Sequence, residues 1–215
     1  MSKLCIVVPY RDREEHLNLF LPHMKSVLDS QEIEFEILIV EQTFDKPFNR
    51  AKLLNIGYDL CKDTCDYVCF HDVDMLPILS DYSIVDAPTH LAAEVEQFGW
   101  GLAYQTYFGG VTMFDKKSFE IINGYSNEYF SWGCEDDGAY NRCIKMGIFP
   151  KRKNCRFRSL AHDRKIDEIL YPKNVEYLNT KEISRMHEDG LSSLEYKILE
   201  EKSLTDFAKM ITVEL

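Results

Sequence analysis

Two aspartates separated by one apolar residue, Asp72-Val73-Asp74, follow the apolar run of residues 67–70. Side chains two positions apart on an extended segment leave the chain on the same side, so both carboxylates can serve one ion and its ligands. Hard oxygen donors of this kind suit Mg²⁺ or Mn²⁺, either of which can clamp a diphosphate and carry its charge as it departs. The tripeptide also occurs in plain solvated turns, so its meaning depends on its surroundings. A second acidic group, Glu135-Asp136-Asp137, opens a segment with helical periodicity. Carboxylates are favoured there by exposed amides and the helix dipole, so a capping role competes with a catalytic one. Successive helical residues point about 100° apart, which limits the group to one or two carboxylates facing any one substrate. Tyr129-Phe130-Ser131-Trp132-Gly133 precedes it. Flat rings beside a carboxylate suit a sugar, whose axial hydrogens stack while its hydroxyls bond to the acid; Trp132 fits a hydrophobic core equally well. His162, placed after Leu160-Ala161 at the end of a short strand, is a candidate ligand, although a lone histidine is more often a packed or surface residue.

The elements that must carry these groups are legible in the apolar pattern. Residues 4–9, 35–40 and 67–70 are short continuous apolar runs and read as buried parallel strands. Residues 14–28 and 50–60 place apolar side chains at helical spacing, giving the β-α-β-α-β alternation of a doubly wound sheet. Ligands of such sheets bind outside the carboxyl ends of the strands. That rule selects Pro9-Tyr10-Arg11-Asp12-Arg13, Glu41-Gln42 with Phe48-Asn49-Arg50, and His71-Asp72-Val73-Asp74. Beyond Pro77 the pattern predicts a strand at 111–114, helices at 117–122 and 135–146, a long charged mobile loop over 163–174, a helix at 180–187, and paired strands at 195–200 and 207–213. No repeat, low-complexity tract or linker interrupts the chain, which reads as a single domain over 1–215.

Bulk composition narrows the function. The 215 residues are 45% hydrophobic, enough for a globular core, and the net charge of -11 argues against a nucleic-acid surface. An anionic ligand must therefore be held locally, by a cation beside Arg11, Arg13 or Arg50. No stretch approaches the roughly 20 apolar residues of a membrane span, and Met1-Ser2-Lys3 leads directly into an apolar strand, which predicts a soluble, cytoplasmic chain as it stands. The seven cysteines include no Cys-x-x-Cys pair; Cys61 and Cys65 read as a helix face and Cys69 as a strand residue, all as packed thiols.

Taken together, Pro9-Tyr10-Arg11-Asp12-Arg13, Phe48-Asn49-Arg50-Ala51-Lys52-Leu53-Leu54-Asn55, His71-Asp72-Val73-Asp74, Tyr107-Phe108-Gly109-Gly110 and Trp132-Gly133-Cys134-Glu135-Asp136-Asp137 resemble, in order and spacing, the β-1,4-galactosyltransferase family, glycosyltransferase family 7. The resemblance extends from residue 4 to about residue 213 and includes Asp189-Gly190-Leu191-Ser192-Ser193-Leu194. It implies an α/β GT-A glycosyltransferase fold, with a Rossmann-like, mostly parallel sheet flanked by helices. The implied reaction is inverting, metal-dependent transfer of galactose from UDP-galactose to a sugar hydroxyl of a glycan or glycoside acceptor, with Mn²⁺ or Mg²⁺ as cofactor and a β-1,4 linkage as product. On the same resemblance Pro9, Tyr10, Arg11, Arg13, Phe48 and Arg50 hold uridine and phosphate, Asp72 faces the ribose, Val73 touches the nucleotide, and Asp74 and His162 bind the metal. Asp136 is the catalytic base, and Glu135 and Asp137 bind sugar hydroxyls or support the site. Tyr107 and Gly110 lie at the donor sugar, Tyr107 favouring galactose by crowding an acetamido group. Trp132 serves donor and acceptor sides, with Tyr104, Asp136 and Asp137 on the acceptor side, and the loop after His162 closes over the donor.

His71 and Pro22-His23-Met24 resemble the branch that galactosylates xylose, whereas Leu102 stands where that branch has an acceptor tyrosine. Ser159, Leu160 and Ala161 lack the soft or imidazole ligand that members carry before the metal histidine, and Cys134 and Gly138 also depart from the usual residues. The family places such enzymes in the Golgi lumen, which applies here if an anchor has been removed. Transfer of N-acetylgalactosamine or another UDP-sugar, and a non-catalytic sugar-nucleotide-binding module, are the alternatives. Nucleotidyl transfer lacks its Gly-x-x-x-x-Gly-Lys loop.

Overall fold

The computed structural model describes residues 2–163 and 166–215. In chain order the elements are β1 (Lys3–Tyr10), α1 (Glu14–Ser30), β2 (Glu34–Gln42), α2 (Arg50–Cys61), β3 (Tyr67–His71), β4 (Met75–Leu79), β5 (Thr89–His90), β6 (Glu94–Val95), β7 (Val111–Asp115), α3 (Lys116–Ile121), α4 (Glu135–Lys145), β8 (Lys151–Arg152), β9 (Arg156–Ser159), α5 (Leu170–Thr180), α6 (Glu182–Arg185), β10 (Lys197–Ser203) and β11 (Ala208–Glu214). An eight-stranded sheet runs β10-β11-β2-β1-β3-β7-β5-β8, and a three-stranded sheet runs β4-β9-β6.

The continuous apolar run of β1 reflects burial on both faces, as a central parallel strand requires. Leu4, Ile6 and Val8 enter the core beneath α1, and Cys5 and Val7 enter the opposite core beneath α2. Leu17, Phe20, Leu21, Met24 and Leu28 form the buried stripe of α1. Helix α2 begins where the Asn49 side chain accepts from the Lys52 amide at 2.8 Å, so its first residue, Arg50, starts at the carboxyl edge of the sheet. The expected parallel block is present as β2, β1 and β3, extended by β11, which lies parallel to β2; β7 joins β3 antiparallel.

Several expectations change. Residues 163–174 are not one loop, because α5 starts at Leu170: Asp167 Oδ1 accepts from the amides of Ile169 and Leu170, both at 2.9 Å, and Pro172 sits in the first turn, where a missing N–H is tolerated. The charges of that stretch masked a helix start. Arg164 and Lys165, within the expected loop, lie outside the described residues. The helix expected at 180–187 shortens to α6. Helix α2 ends at Cys61, so Cys65 lies beyond it, although their Sγ atoms are 3.8 Å apart; all seven cysteines are free. Strand β9 ends at Ser159, leaving His162 in the following loop. Among the described residues no helix is long and apolar enough to cross a membrane.

Candidate active site

The strand β3 delivers the acidic pair into a tight turn. The Asp72 carbonyl accepts from the Met75 amide at 3.1 Å, the Asp72 amide donates to the Gly110 carbonyl at 2.9 Å, and the Leu160 amide donates to the Asp74 carbonyl at 2.7 Å. That last bond ties the loop after β9 to the turn and brings His162 Nε2 to 3.1 Å from Asp74 Oδ2. The hydrogen bond that the protonated His162 ring donates to the Asp74 carboxylate raises the pKa of His162. His16, on α1, bonds the Ala161 carbonyl through Nε2 at 3.3 Å and meets His162 edge-on, with ring centroids 6.2 Å apart. A cavity of about 370 Å³ lined by Gln97, Ser159, Leu160, Ala161 and His162 adjoins the pair.

This donor set fits a divalent ion in part. A carboxylate oxygen and an imidazole nitrogen in contact form a mixed O,N set, which suits Mn²⁺ better than Mg²⁺, a cation that prefers oxygen. Ser159, Leu160 and Ala161 add no ligating imidazole or thioether, and among the described residues no group of three or more His, Cys, Asp or Glu side chains could hold a metal ion. Asp74 and His162 would thus hold a metal as two side-chain ligands, with other positions left to water or a bound diphosphate.

Arg50 joins the turn to the second acidic group. Its Nε lies 2.7 Å from Asp72 Oδ1, and one terminal nitrogen lies 2.8 Å from Asp136 Oδ1 and 3.6 Å from Glu135 Oε1. Burial raises the pKa of Asp72 and Glu135; Arg50 opposes the rise at both, and Asp136 adds to it. Asp137 turns the other way, its Oδ1 accepting from Tyr104 OH at 2.9 Å. The helical limit therefore holds: Glu135 and Asp136 share one direction and Asp137 another. The residue before α4, Cys134, in the left-handed region at φ 79°, makes no side-chain cap, while all three carboxylates stand in the first turn, where the dipole favours them. Gly109 lies beneath Asp136, where a Cβ would overlap Asp136 Oδ2 and crowd the Tyr107 ring at 2.8 Å.

The remaining expected residues divide. Arg11 lies over the rings of Phe44 and Phe48, at 5.3 and 5.1 Å, and bonds the carbonyls of Thr43 and Lys46, forming an aromatic slot. Pro9, Tyr10 and Val73 are buried, Tyr10 and Val73 in the core beneath α1, where they shape the floor. The Arg13 side chain donates to the Asp12 carbonyl at 3.3 Å, and its own carbonyl accepts from the Leu17 amide at 2.9 Å. Tyr107 packs edge-on against His90 and Tyr104, and Gly110, at φ 77°, leaves room for Met75 and Ala92. Trp132 is not a core residue; it is 47% exposed and tilts 31° against Tyr171 at 5.6 Å. Tyr171 and His16 were missed by residue type alone. His16 could have been found as the residue three past Arg13 on the first turn of α1.

The comparisons with known proteins come to bear on this geometry. Residues 1–85 match the N-terminal region of glycosyl transferase group 7, and residues 89–164 match the N-terminal domain of galactosyltransferase. The chain is 38% identical over 206 residues to β-1,4-galactosyltransferase 1 of Mus musculus, covering 92% of this chain and 51% of the relative, and 36% identical over 221 residues to that of Bos taurus, covering 99% and 54%. It thus spans about half the length of these curated relatives. Among solved structures, the catalytic domain of Drosophila β-1,4-galactosyltransferase 7 with xylobiose superposes with a TM-score of 0.85 at 29% identity, covering 100% of this chain and 94% of that one. A mutant of the Drosophila enzyme, in complex with manganese, UDP-Gal and xylobiose, gives 0.80 at 30% identity with the same coverage.

Proposed function

The chain belongs to glycosyl transferase group 7, with its GT-A fold, and on that premise we propose that it is a single-domain, inverting β-1,4-galactosyltransferase using UDP-galactose and Mn²⁺. The observation that carries the reading is Arg50, whose guanidinium spans Asp72 and Asp136 at 2.7 and 2.8 Å and so sets the nucleotide grip beside the base.

In this reading the Arg11, Phe44 and Phe48 slot takes the uracil, and Arg50 lies toward the diphosphate. Asp74 and His162 hold the metal, which when bound neutralises charge on the departing diphosphate. Asp136 accepts the proton of the acceptor hydroxyl as that oxygen bonds to the anomeric carbon; the bond from that carbon to the diphosphate oxygen breaks, and UDP leaves from the opposite face. The α-linked donor thereby gives a β-linked product. Glu135, whose burial favours the protonated form, donates to a sugar hydroxyl, and Asp137 with Tyr104 borders the acceptor. Exposed Trp132, backed by the half-buried Tyr171, offers that acceptor an apolar face. Tyr107, crowded among rings, leaves little space for an acetamido group and so favours galactose. Xylose or another glycan end is the acceptor class, since the Drosophila relatives were solved with xylobiose.

Asp136→Asn tests the base. The variant should keep Mn²⁺-dependent UDP binding by calorimetry while transfer from UDP-galactose across a glycoside panel falls by about 10²–10⁴. Unchanged turnover refutes the assignment. The two-ligand metal set favours a second reading, a sugar-nucleotide-binding module without turnover. UDP release by the wild type, with or without acceptor, rules it out.

A further inference from the structure

Met24, His71 and Tyr82 have no part in the proposed reaction, yet they form one fully buried chain behind the acidic turn. Tyr82 OH lies 2.9 Å from His71 Nε2 and 4.0 Å from Met24 Sδ, and His71 Nδ1 lies 2.9 Å from the Asp72 carbonyl oxygen. A carbonyl oxygen only accepts, so the proton sits on Nδ1; a neutral ring then presents a lone pair at Nε2, and the Tyr82 hydroxyl donates into it. Contacts in the core fix the rings. Phe20 meets His71 edge-on at 5.0 Å, Tyr82 stacks on it at 6.1 Å and 19°, and Tyr82 is anchored through its backbone to Gln31 Oε1 and Tyr67 OH.

The acceptor of this bond also matters. The Asp72 carbonyl receives the Met75 amide that closes the turn, so the imidazole occupies the carbonyl's second lone pair. We propose that His71, held in one tautomer by Tyr82, is a positioning residue that fixes the Asp72-Val73-Asp74-Met75 turn and thereby aims Asp74 at His162. The proposal rests on the metal-site reading for its functional consequence and on the hydrogen bonds alone for its structural one. It explains why a buried histidine stands where an aromatic hydrocarbon would pack as well: the ring supplies one donor at one height above the turn.

Two near-isosteric variants separate positioning from packing. The amide nitrogen of Asn reaches the place of Nδ1, and that of Gln the place of Nε2, so His71→Asn retains the bond to Asp72 and His71→Gln loses it. Free Mn²⁺ followed by electron paramagnetic resonance during titration, with UDP present, should show affinity within about threefold of wild type for His71→Asn and roughly tenfold or more weaker for His71→Gln, as for outer partners of metal sites. The melting temperatures of the two should fall alike. Tyr82→Phe, which keeps the ring and frees the tautomer, should fall between. Equal affinity in the two His71 variants overturns the proposal. Should the wild type bind no Mn²⁺, or Asp74→Asn bind it normally, the metal-site reading is what fails. Hydrogen exchange at the Met75 amide then decides: protection in wild type and His71→Asn with fast exchange in His71→Gln sustains the positioning role, and equal exchange removes it.

Discussion

Arg50 carries more of the site than any other single side chain. Three carboxylates face its guanidinium, and its side chain is only 11% exposed. Arg50→Ala would leave buried charges without a counter-ion, a loss of about 3–5 kcal/mol in urea unfolding at pH 8. The pH dependence has a definite sign. Burial already holds Asp72 and Glu135 above their ordinary values, so the stability they contribute is present at low pH and lost as pH rises through their folded pKa. Removing Arg50 raises them further, so the variant's deficit should shrink from pH 8 to pH 5; a deficit independent of pH contradicts the cluster. Gly109→Ala tests the other contact of Asp136. The new methyl displaces the carboxylate, so transfer should drop about 10²-fold while UDP affinity holds, measured as kcat against Kd. At this scale the sequence was informative about Asp72, Asp74, Asp136 and His162, because motif spacing survives folding. Tyr171 was not legible, since its pairing with Trp132 joins segments 39 positions apart through tertiary packing.

Elements explain how those residues hold their positions. Helix α4 carries Glu135 and Asp136 at its start and the fully buried Arg142 two turns later, where Arg142 bonds Glu182 of α6 and the Asp189 carbonyl. Arg142→Met should cost about 3–5 kcal/mol by chemical unfolding, because Glu182 is then buried without its cation. Adding Glu182→Leu should recover much of that; a double variant as unstable as the single one contradicts the ion-pair account. The patterns of β1, β2, β3, α1 and α2 were readable because each buries a continuous run or a single stripe. Strands β5, β6 and β8, two residues each, have no period to detect. The start of α5 was obscured because Asp167, which accepts from the Ile169 and Leu170 amides, lies in a charge-rich stretch.

Across the whole molecule, two buried histidines set an acid limit. Burial pushes His71 and His90 down to about 4, the imidazole of His90 bonding the Gly109 carbonyl while its Nδ1 is buried without a partner. Both folded values lie below the unfolded one, so between pH 4 and pH 6.5 these two histidines bind more protons in the unfolded chain, and their contribution to stability rises with pH across that window. Each contributes up to about 3 kcal/mol, present above pH 6.5 and lost on acidification. Asp72 and Glu135 act in the opposite sense over part of this window, so the histidine share is read by difference: the urea midpoint of His90→Gln relative to wild type should fall from pH 4 to pH 7, and a difference independent of pH would deny His90 a share.

Strand β11 pairs with β2 across some 170 positions of chain, and the Thr43 amide bonds the Val213 carbonyl, while Thr43 in turn holds Arg11. During synthesis, β1, α1, β2 and α2 emerge before β11, so the β2 edge beside the Arg11, Phe44 and Phe48 slot has no partner until residues 208–214 leave the ribosome. The nascent chain therefore carries an unpaired β2 edge until β11 arrives, an invitation to chaperones, and the Arg11, Phe44 and Phe48 slot is completed only once that edge is covered.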